Sequence, residues 1–263
     1  MILATTAATA EPRHLRVCAD PNNLPFSNEA GEGFENALAE LIAKDLGATL
    51  DYVWRPQRRG FVRMTIGADL CDVMMGAPTA YDRVPPTVPY YRSTYVLVTR
   101  ADQDPQPASL DDPVLRRLRI GVQIIGDDYQ NTPPVEALAR RGLTRNLVGF
   151  SVYGDYSQPN PPARIVEAVE DEVIDAAIVW GPLAGYFAQR AKTPLHLTPL
   201  EGDSPAGPFA FDIAIGVKKG NTALRDELDE VLARHRARID AILDGYGVVR
   251  VSPAPRPTDP ERR

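Results

Sequence analysis

Catalysis at neutral pH needs a nucleophile with a base, a paired acid and base, or a metal set, and the residues able to supply these are scattered along this chain. The three histidines stand alone: His14 precedes the first apolar run, His196 lies in a proline-containing connection, and His235 sits between Arg234 and Arg236. Cys18 and Cys71 form no CxxC pair, so neither a zinc site nor a thioredoxin-type motif is indicated. Asp127-Asp128 can serve as a metal pair or as carboxylates at a helix N-terminus, and capping is the simpler reading. The nucleophile elbow, the zinc-protease helix, the phosphate loop and the dinucleotide fingerprint are all missing, and Gly31-Glu32-Gly33 is a turn before a helix. Such a set points to binding rather than catalysis, with no metal site and no cofactor.

The elements that would position a binding site follow from periodicity. Leu15 to Asp20 reads as a short buried strand, with a turn at Pro21-Asn22-Asn23. A helix follows, with Phe34, Leu38, Leu41, Ile42 and Leu46 at helical spacing, a Glu40–Lys44 pair and Gly47 at its end. Then come a strand Thr49 to Trp54, a helix Phe61 to Ala68 and a strand Asp72 to Met75 ending at Gly76. After an extended run Tyr95 to Thr99 the rhythm restarts: strands Arg119 to Gln123, Val148 to Val152 and Ala176 to Trp180 alternate with helices near Val135 to Arg141, Ala163 to Glu172 and Leu183 to Ala191. A second extended run, Phe209 to Val217, leads into one long final helix with an apolar stripe from Leu224 to Leu243. Alternation of this kind predicts α/β architecture with a mostly parallel sheet and ligands at the carboxyl ends of its strands. Two such units joined by two crossover strands predict two lobes with a cleft between them. The expected bounds are 13–98 plus 213–250 for the first lobe and 99–212 for the second.

Composition narrows the partners. Twenty-nine basic against 35 acidic residues give a net charge of −6, and no basic stripe stands out, which argues against nucleic acid. No apolar run approaches the ~20 residues of a membrane span. Residues 1–12, with Ala8-Thr9-Ala10 before Glu11-Pro12, are expected to be the remnant of an export signal or a disordered leader, and the proline-rich tail 251–263 is expected to be disordered. An even cysteine count in an exported chain permits one disulfide, Cys18–Cys71. Against it stands the offset of the two residues, one near the end of its strand and the other at the start of its own.

The succession Val17-Cys18-Ala19-Asp20 with Asn23 and Pro25-Phe26, Gly33-Phe34-Glu35, Cys71 to Gly76, Asp82-Arg83 and Pro89-Tyr90-Tyr91 resembles the type II periplasmic solute-binding fold. More narrowly, Val17 to Asn28, Pro89 to Ser93, Tyr153 to Tyr156, Asn160 to Arg164 and Val179 to Tyr186 resemble the binding-protein-like family associated with PQQ-dependent quinoprotein dehydrogenases, the XoxJ/MoxJ proteins of methanol oxidation. The likeness spans residues 13 to 250. It implies a periplasmic, non-catalytic accessory protein whose partners are a methanol or alcohol dehydrogenase, with its cytochrome c as a further candidate, and an unknown small ligand or a segment of the dehydrogenase in the cleft. PQQ and lanthanide ions belong to the dehydrogenase, and neither is assigned to this chain.

The resemblance also implies where a guest would be held. In amino-acid-binding relatives an arginine after the third strand grips the ligand carboxylate, and Arg83 occupies that place. The hydroxyl that precedes it is Pro78 here, the amide nest of the second lobe carries Asp127, and the acid that receives the ammonium falls at Trp180. Three of four amino-acid determinants are therefore missing. The expected binding set is Asp20, Asn23, Phe26, Glu35, Arg58, Gly76, Pro78, Arg83, Asp127, Tyr153, Tyr156 and Trp180, with Trp54, Tyr186 and Arg59 as further lining, and it predicts an apolar, aromatic or bulky anionic guest. Competing readings are a solute receptor of an ABC importer for a non-amino-acid ligand and an enzyme resembling cyclohexadienyl dehydratase, in which Arg83 holds a carboxylate while Glu35 or Asp20 acts as general acid.

Overall fold

The computed structural model describes residues 12–125, 130–151 and 156–252. The expectations for the leader to residue 11, for Asp127 and Tyr153, and for the tail from Pro253 lie outside the described residues. In chain order the elements are β1 (His14–Ala19), β2 (Asn22–Asn23), β3 (Ser27–Asn28), α1 (Phe34–Asp45), β4 (Thr49–Trp54), α2 (Phe61–Met64), β5 (Val73–Pro78), β6 (Tyr91–Arg100), β7 (Ile120–Ile125), β8 (Gln130–Asn131), α3 (Pro133–Arg140), β9 (Leu147–Ser151), α4 (Arg164–Glu170), β10 (Ala176–Trp180), α5 (Gly181–Ala188), β11 (Leu195–Pro199), β12 (Asp203–Ser204), β13 (Gly207–Pro208), β14 (Ala210–Val217), α6 (Thr222–Arg234) and α7 (Arg236–Gly245).

The main sheet runs β4-β1-β5-β14-β6-β10-β7-β8, with β11 on β6 and β9 on β7. Its first half is parallel at β4, β1 and β5, and its second half is parallel at β10, β7 and β9. The halves meet in two antiparallel strands. Ala210–Ile213 of β14 pair with Tyr91–Thr94 of β6, and the remainder of β6 pairs with β10 and β11. The crossing therefore sits at the start of β6, four residues earlier than the run Tyr95 to Thr99 implied.

Each half is built as buried parallel strands require, with both faces covered. On β1, Leu15 and Val17 pack under α1, α6 and α7, whereas Cys18 faces the opposite cluster of Phe61, Ile66 and Cys71. Helix α1 starts at Gly33, where any Cβ would sit 2.0 Å from the Phe26 carbonyl oxygen, and the buried Asn36 Oδ1 accepts from the Gly33 and Asn28 N–H groups. This close approach fixes the loop 20–33 against the helix N-terminus. The second half buries β10 between α3 on one face and α4 and α5 on the other.

Three expectations about elements change. The final helix is two, broken at His235, whose Nε2 lies 2.6 Å from Asp45 Oδ2 while Arg234 binds Oδ1 of the same carboxylate. The helix expected at 61–68 stops at Met64 and resumes as a 3₁₀ turn at Ile66–Ala68, because Thr65 leaves helical backbone and donates its hydroxyl to the Phe61 carbonyl. The third strand does not end at Gly76 but runs through it to Pro78, with Gly76 at φ +69°. Cys18 and Cys71 are joined, with Cα atoms 5.6 Å apart. The register sets Cys18 opposite Met74, but Cys71 lies before β5 rather than on it, so the strand register does not fix its distance from Cys18.

Candidate functional site

A cavity of about 100 Å³ lies at the carboxyl ends of β1 and β10, between the two halves of the sheet. Six of the expected residues line it: Asp20, Asn23, Phe26, Glu35, Gly76 and Trp180. Asp20 directly follows β1 and is 3% exposed. Its carboxylate accepts the Asn22 N–H at 2.8 Å and the Gln57 N–H at 2.6 Å. Burial raises its pKa, opposed by those two amides and by the positive charge of Arg58.

Asn23, 2% exposed, donates Nδ2–H to Gln57 Oε1 at 3.0 Å, and its Oδ1 is buried without a hydrogen-bond partner. Glu35, in the first turn of α1, reaches the cavity beside Gly76. A Cβ at Gly76 would stand 2.4 Å from Glu35 Oε1, so this position needs glycine both for its positive φ and for the carboxyl pressed against it. The Gly76 N–H donates to the Tyr90 hydroxyl at 3.1 Å. Burial pushes the Glu35 carboxyl up to about 8.

Trp180 closes the cavity from the second half of the sheet. Its backbone N–H donates to Gln123 Oε1 at 3.0 Å, and its ring packs edge-on to Tyr95 at 5.3 Å and Phe211 at 5.9 Å. Although it belongs to β10, it packs against the core of the first half. Opposite it, Asn22 Nδ2–H donates to the Gln158 carbonyl at 2.9 Å, a second tie between the halves.

The other expected residues lie elsewhere. Arg83 is exposed and does not line the cavity, and Pro78 is held in β5 opposite Ile213. Arg58 is exposed and acts on Asp20 only through its charge. Tyr156 is 46% exposed, and partial burial and the Asp20 charge push its hydroxyl pKa up. Trp54 stacks on Tyr52 at 4.5 Å, and Tyr186 stacks on Tyr246 at 5.8 Å under the Arg190 guanidinium, so neither faces the cavity. The residues that sequence reasoning missed include Ser27, Gln57, Phe61, Met75 and Tyr91. Gln57 and Tyr91 had a readable signal, since one follows the end of β4 and the other opens the crossing strand.

The cavity of about 100 Å³ is smaller than the ~300–1,000 Å³ typical of sites for drug-sized ligands, which favours a small guest.

Two α/β lobes built on one mixed sheet, joined by β6 and β14 and enclosing a cavity at strand carboxyl ends, define a type II periplasmic binding-protein fold. The chain belongs to the bacterial extracellular solute-binding proteins, family 3, whose model matches residues 15–248. Within it the relatives are MoxJ- and XoxJ-like. Protein MoxJ of Methylorubrum extorquens is 31% identical, over 93% of this chain and 84% of that protein. The crystal structure of periplasmic binding protein XoxJ from Methylobacterium extorquens AM1 matches with a TM-score of 0.75 and 34% identity, covering 91% of this chain and 100% of that one. MxaJ from Methlophaga aminisulfidivorans MPT matches with a TM-score of 0.75 and 26% identity, covering 90% and 100%.

Proposed function

We propose that this chain is a non-catalytic periplasmic accessory protein of a PQQ-dependent methanol or alcohol dehydrogenase system, with an interlobe cavity that takes a small solute. Kinship with MoxJ and XoxJ supports the setting. The observation that carries the reading is the cavity wall: Trp180 lines it, in the place where the resemblance implies an acid for amino-acid receptors, and no basic side chain lines it to grip a ligand carboxylate. Arg83 lies outside it, so the dehydratase reading also loses its carboxylate anchor. Among the described residues no helix is long and apolar enough to cross a membrane. A cavity of about 100 Å³ favours a small solute over a dehydrogenase segment, which assigns the partner contact to the outer surface of the lobes.

The test is size-exclusion chromatography with light scattering on mixtures of this protein with the quinoprotein dehydrogenase and its cytochrome c. A stable or saturable complex is expected, and co-elution no greater than with an unrelated periplasmic protein refutes the accessory role. Calorimetric titration with the common amino acids should give no dissociation constant below ~10 μM; a tighter one moves the protein to the importer receptors.

A further inference from the structure

We infer that the arginine-rich segment 55–63 is a docking surface for an acidic segment of a protein partner. The inference deepens the accessory reading by naming the surface, and rests on that reading only in requiring a protein partner. From Tyr52 to Ala68 the chain carries four arginines, Arg55, Arg58, Arg59 and Arg63, and no acid, within a protein of net charge −6. All four are exposed. Arg55, Arg58 and Arg63 make no ion pair with a described residue, whereas Arg16 pairs with Asp72 and Arg119 with Asp175. The acids that flank the segment are already engaged, Asp51 by His14 and Asp69 by Lys218. Asp20, the acid on which the Arg58 charge acts, is buried and bonded to the Asn22 and Gln57 amides.

Local bonds fix how these arginines are presented. The Arg55 N–H donates to the Ala19 carbonyl at 2.9 Å and the Gln57 N–H to Asp20 at 2.6 Å, which pins the loop to the end of β1. The Phe61 N–H donates to the Arg58 carbonyl at 2.9 Å, and Gly60, at φ +86°, turns the chain into α2. Phe61 is buried in the cluster that holds Cys18 and Cys71, so the loop rests on the bonded part of the lobe. A Cβ on Gly60 would lie 3.5 Å from both Arg63 Nη2 and Met64 Cε, so the guanidinium and the 40% exposed Met64 reach back over the same turn. Arginine and methionine are enriched at protein interfaces, and a surface already held in place loses less freedom on binding.

This chemistry selects the occupant. Guanidinium forks pair bidentately with carboxylates, and unpaired ones lose no internal partner when they do so. The exposed methionine beside them gives an arriving side chain an apolar contact. A broad anionic surface such as a lipid membrane would also meet the remainder of a chain whose net charge is −6, and would be repelled beyond the loop. A nucleic-acid backbone needs a longer basic track than one loop provides. A short acidic stretch of a folded partner meets the arginines alone, and the same charges speed its encounter with this face of the protein.

The experiment is fluorescence anisotropy on the full chain with a labelled short peptide of alternating Asp and Glu, compared with its Asn and Gln counterpart. The expected result is saturable binding of the acidic peptide alone, weakened as salt rises from ~20 to ~150 mM and the screening length shortens. Arg55→Gln, Arg58→Gln and Arg63→Gln together should weaken binding about tenfold, since each exposed pair is worth roughly two- to threefold. The same charge removed at the exposed Arg117, Arg164 and Arg238, dispersed along the chain, should change it less than about threefold. Vesicles of phosphatidylglycerol are the second probe, and the protein should not sediment with them. Equal binding of the two peptides, equal losses from the two triple variants, or retention on the vesicles overturns the inference. The parent and the first triple variant are then mixed with the dehydrogenase and its cytochrome c. A complex that ignores the loss of the three arginines also overturns the docking surface, whereas no complex with the parent refutes the accessory reading and leaves the peptide result to decide the surface.

Discussion

Replacing Trp180 by alanine tests whether one indole couples the two halves of the sheet. The ring projects from β10 and packs against the core of the other half, edge-on to Tyr95 and Phe211. A side chain of this size buries ~150 Å² or more, which at ~25 cal/mol per Å² is worth ~4 kcal/mol. That figure is an upper bound, because the unfolded chain already hides part of its apolar surface. With the ring partly exposed at the cavity, the expected loss is ~3 kcal/mol. At roughly 2 °C per kcal/mol for a chain of this length, Tm should fall by ~6 °C. Urea unfolding followed by far-UV circular dichroism is the assay, since each substitution removes one of the two tryptophans that fluorescence would report on. Trp180→Phe should keep about half of the lost stability. Trp54→Ala is the control: its ring stacks on Tyr52 at the sheet edge and bridges nothing. A loss below ~1 kcal/mol for Trp180→Ala with an unchanged m value, or one no larger than for Trp54→Ala, refutes the bridging role.

The bond between Cys18 and Cys71, separated by 53 residues, restricts the unfolded chain by an entropy equivalent to ~4 kcal/mol. The double substitution Cys18→Ser and Cys71→Ser should cost most of that in urea titration, and a cost under ~1 kcal/mol would mean that the closed loop adds nothing. At Gly185 any Cβ would stand 1.9 Å from the Gly247 carbonyl oxygen, so Gly185→Val should destabilise by ~2 kcal/mol and raise amide exchange at Val251, whose N–H donates to the Arg92 carbonyl. Gly245→Ala, with open space around its Cβ, should stay within ~1 kcal/mol of the parent; equal effects at both sites contradict the packing argument. Glu35 gives a pH signature. Its carboxyl is raised from 4.5 to about 8, so between those values the folded state holds a proton that the unfolded state has lost. Stability is then greatest below the lower value and falls by up to ~1.4 kcal/mol per pH unit towards the upper one. Glu35→Gln should remove that fall from a series of urea titrations, and an unchanged slope counts against a buried acid here.

Strands bounded by clear punctuation were legible. β4 and β10 have the bounds that their apolar runs predict, because each is a short β-branched stretch flanked by breakers. What was not legible depends on partners remote in sequence. The stripe from Leu224 to Leu243 runs unbroken through His235, and only the Asp45 carboxylate, 190 residues away, accounts for the interruption. β11 was missed because prolines bracket it, although an edge strand tolerates proline at its end and β11 pairs with β6. The pairs β2–β3 and β12–β13 are two residues per strand, too short for any periodicity.

The site divides in the same way. Asp20, Asn23, Phe26, Glu35, Gly76 and Trp180 could be picked out because strand ends and a helix N-terminus converge there in this architecture. Arg83 and Tyr186 could not be excluded, because whether a side chain turns into the cleft depends on packing: Tyr186 is claimed by Tyr246 and Arg190. The character of the guest was inferred from residue types alone, and aromatic side chains were read as a greasy lining. In the folded chain the largest of them, Trp180, lines the cavity and packs edge-on to Phe211, and the Asn22–Gln158 bond ties the two halves. The wall that the indole shares holds Asp20, Asn23 and Glu35 beside the rings of Phe26, Phe61 and Tyr91. An aromatic residue at position 180 therefore does not make the cavity wall uniformly apolar, because Asp20, Asn23 and Glu35 share that wall.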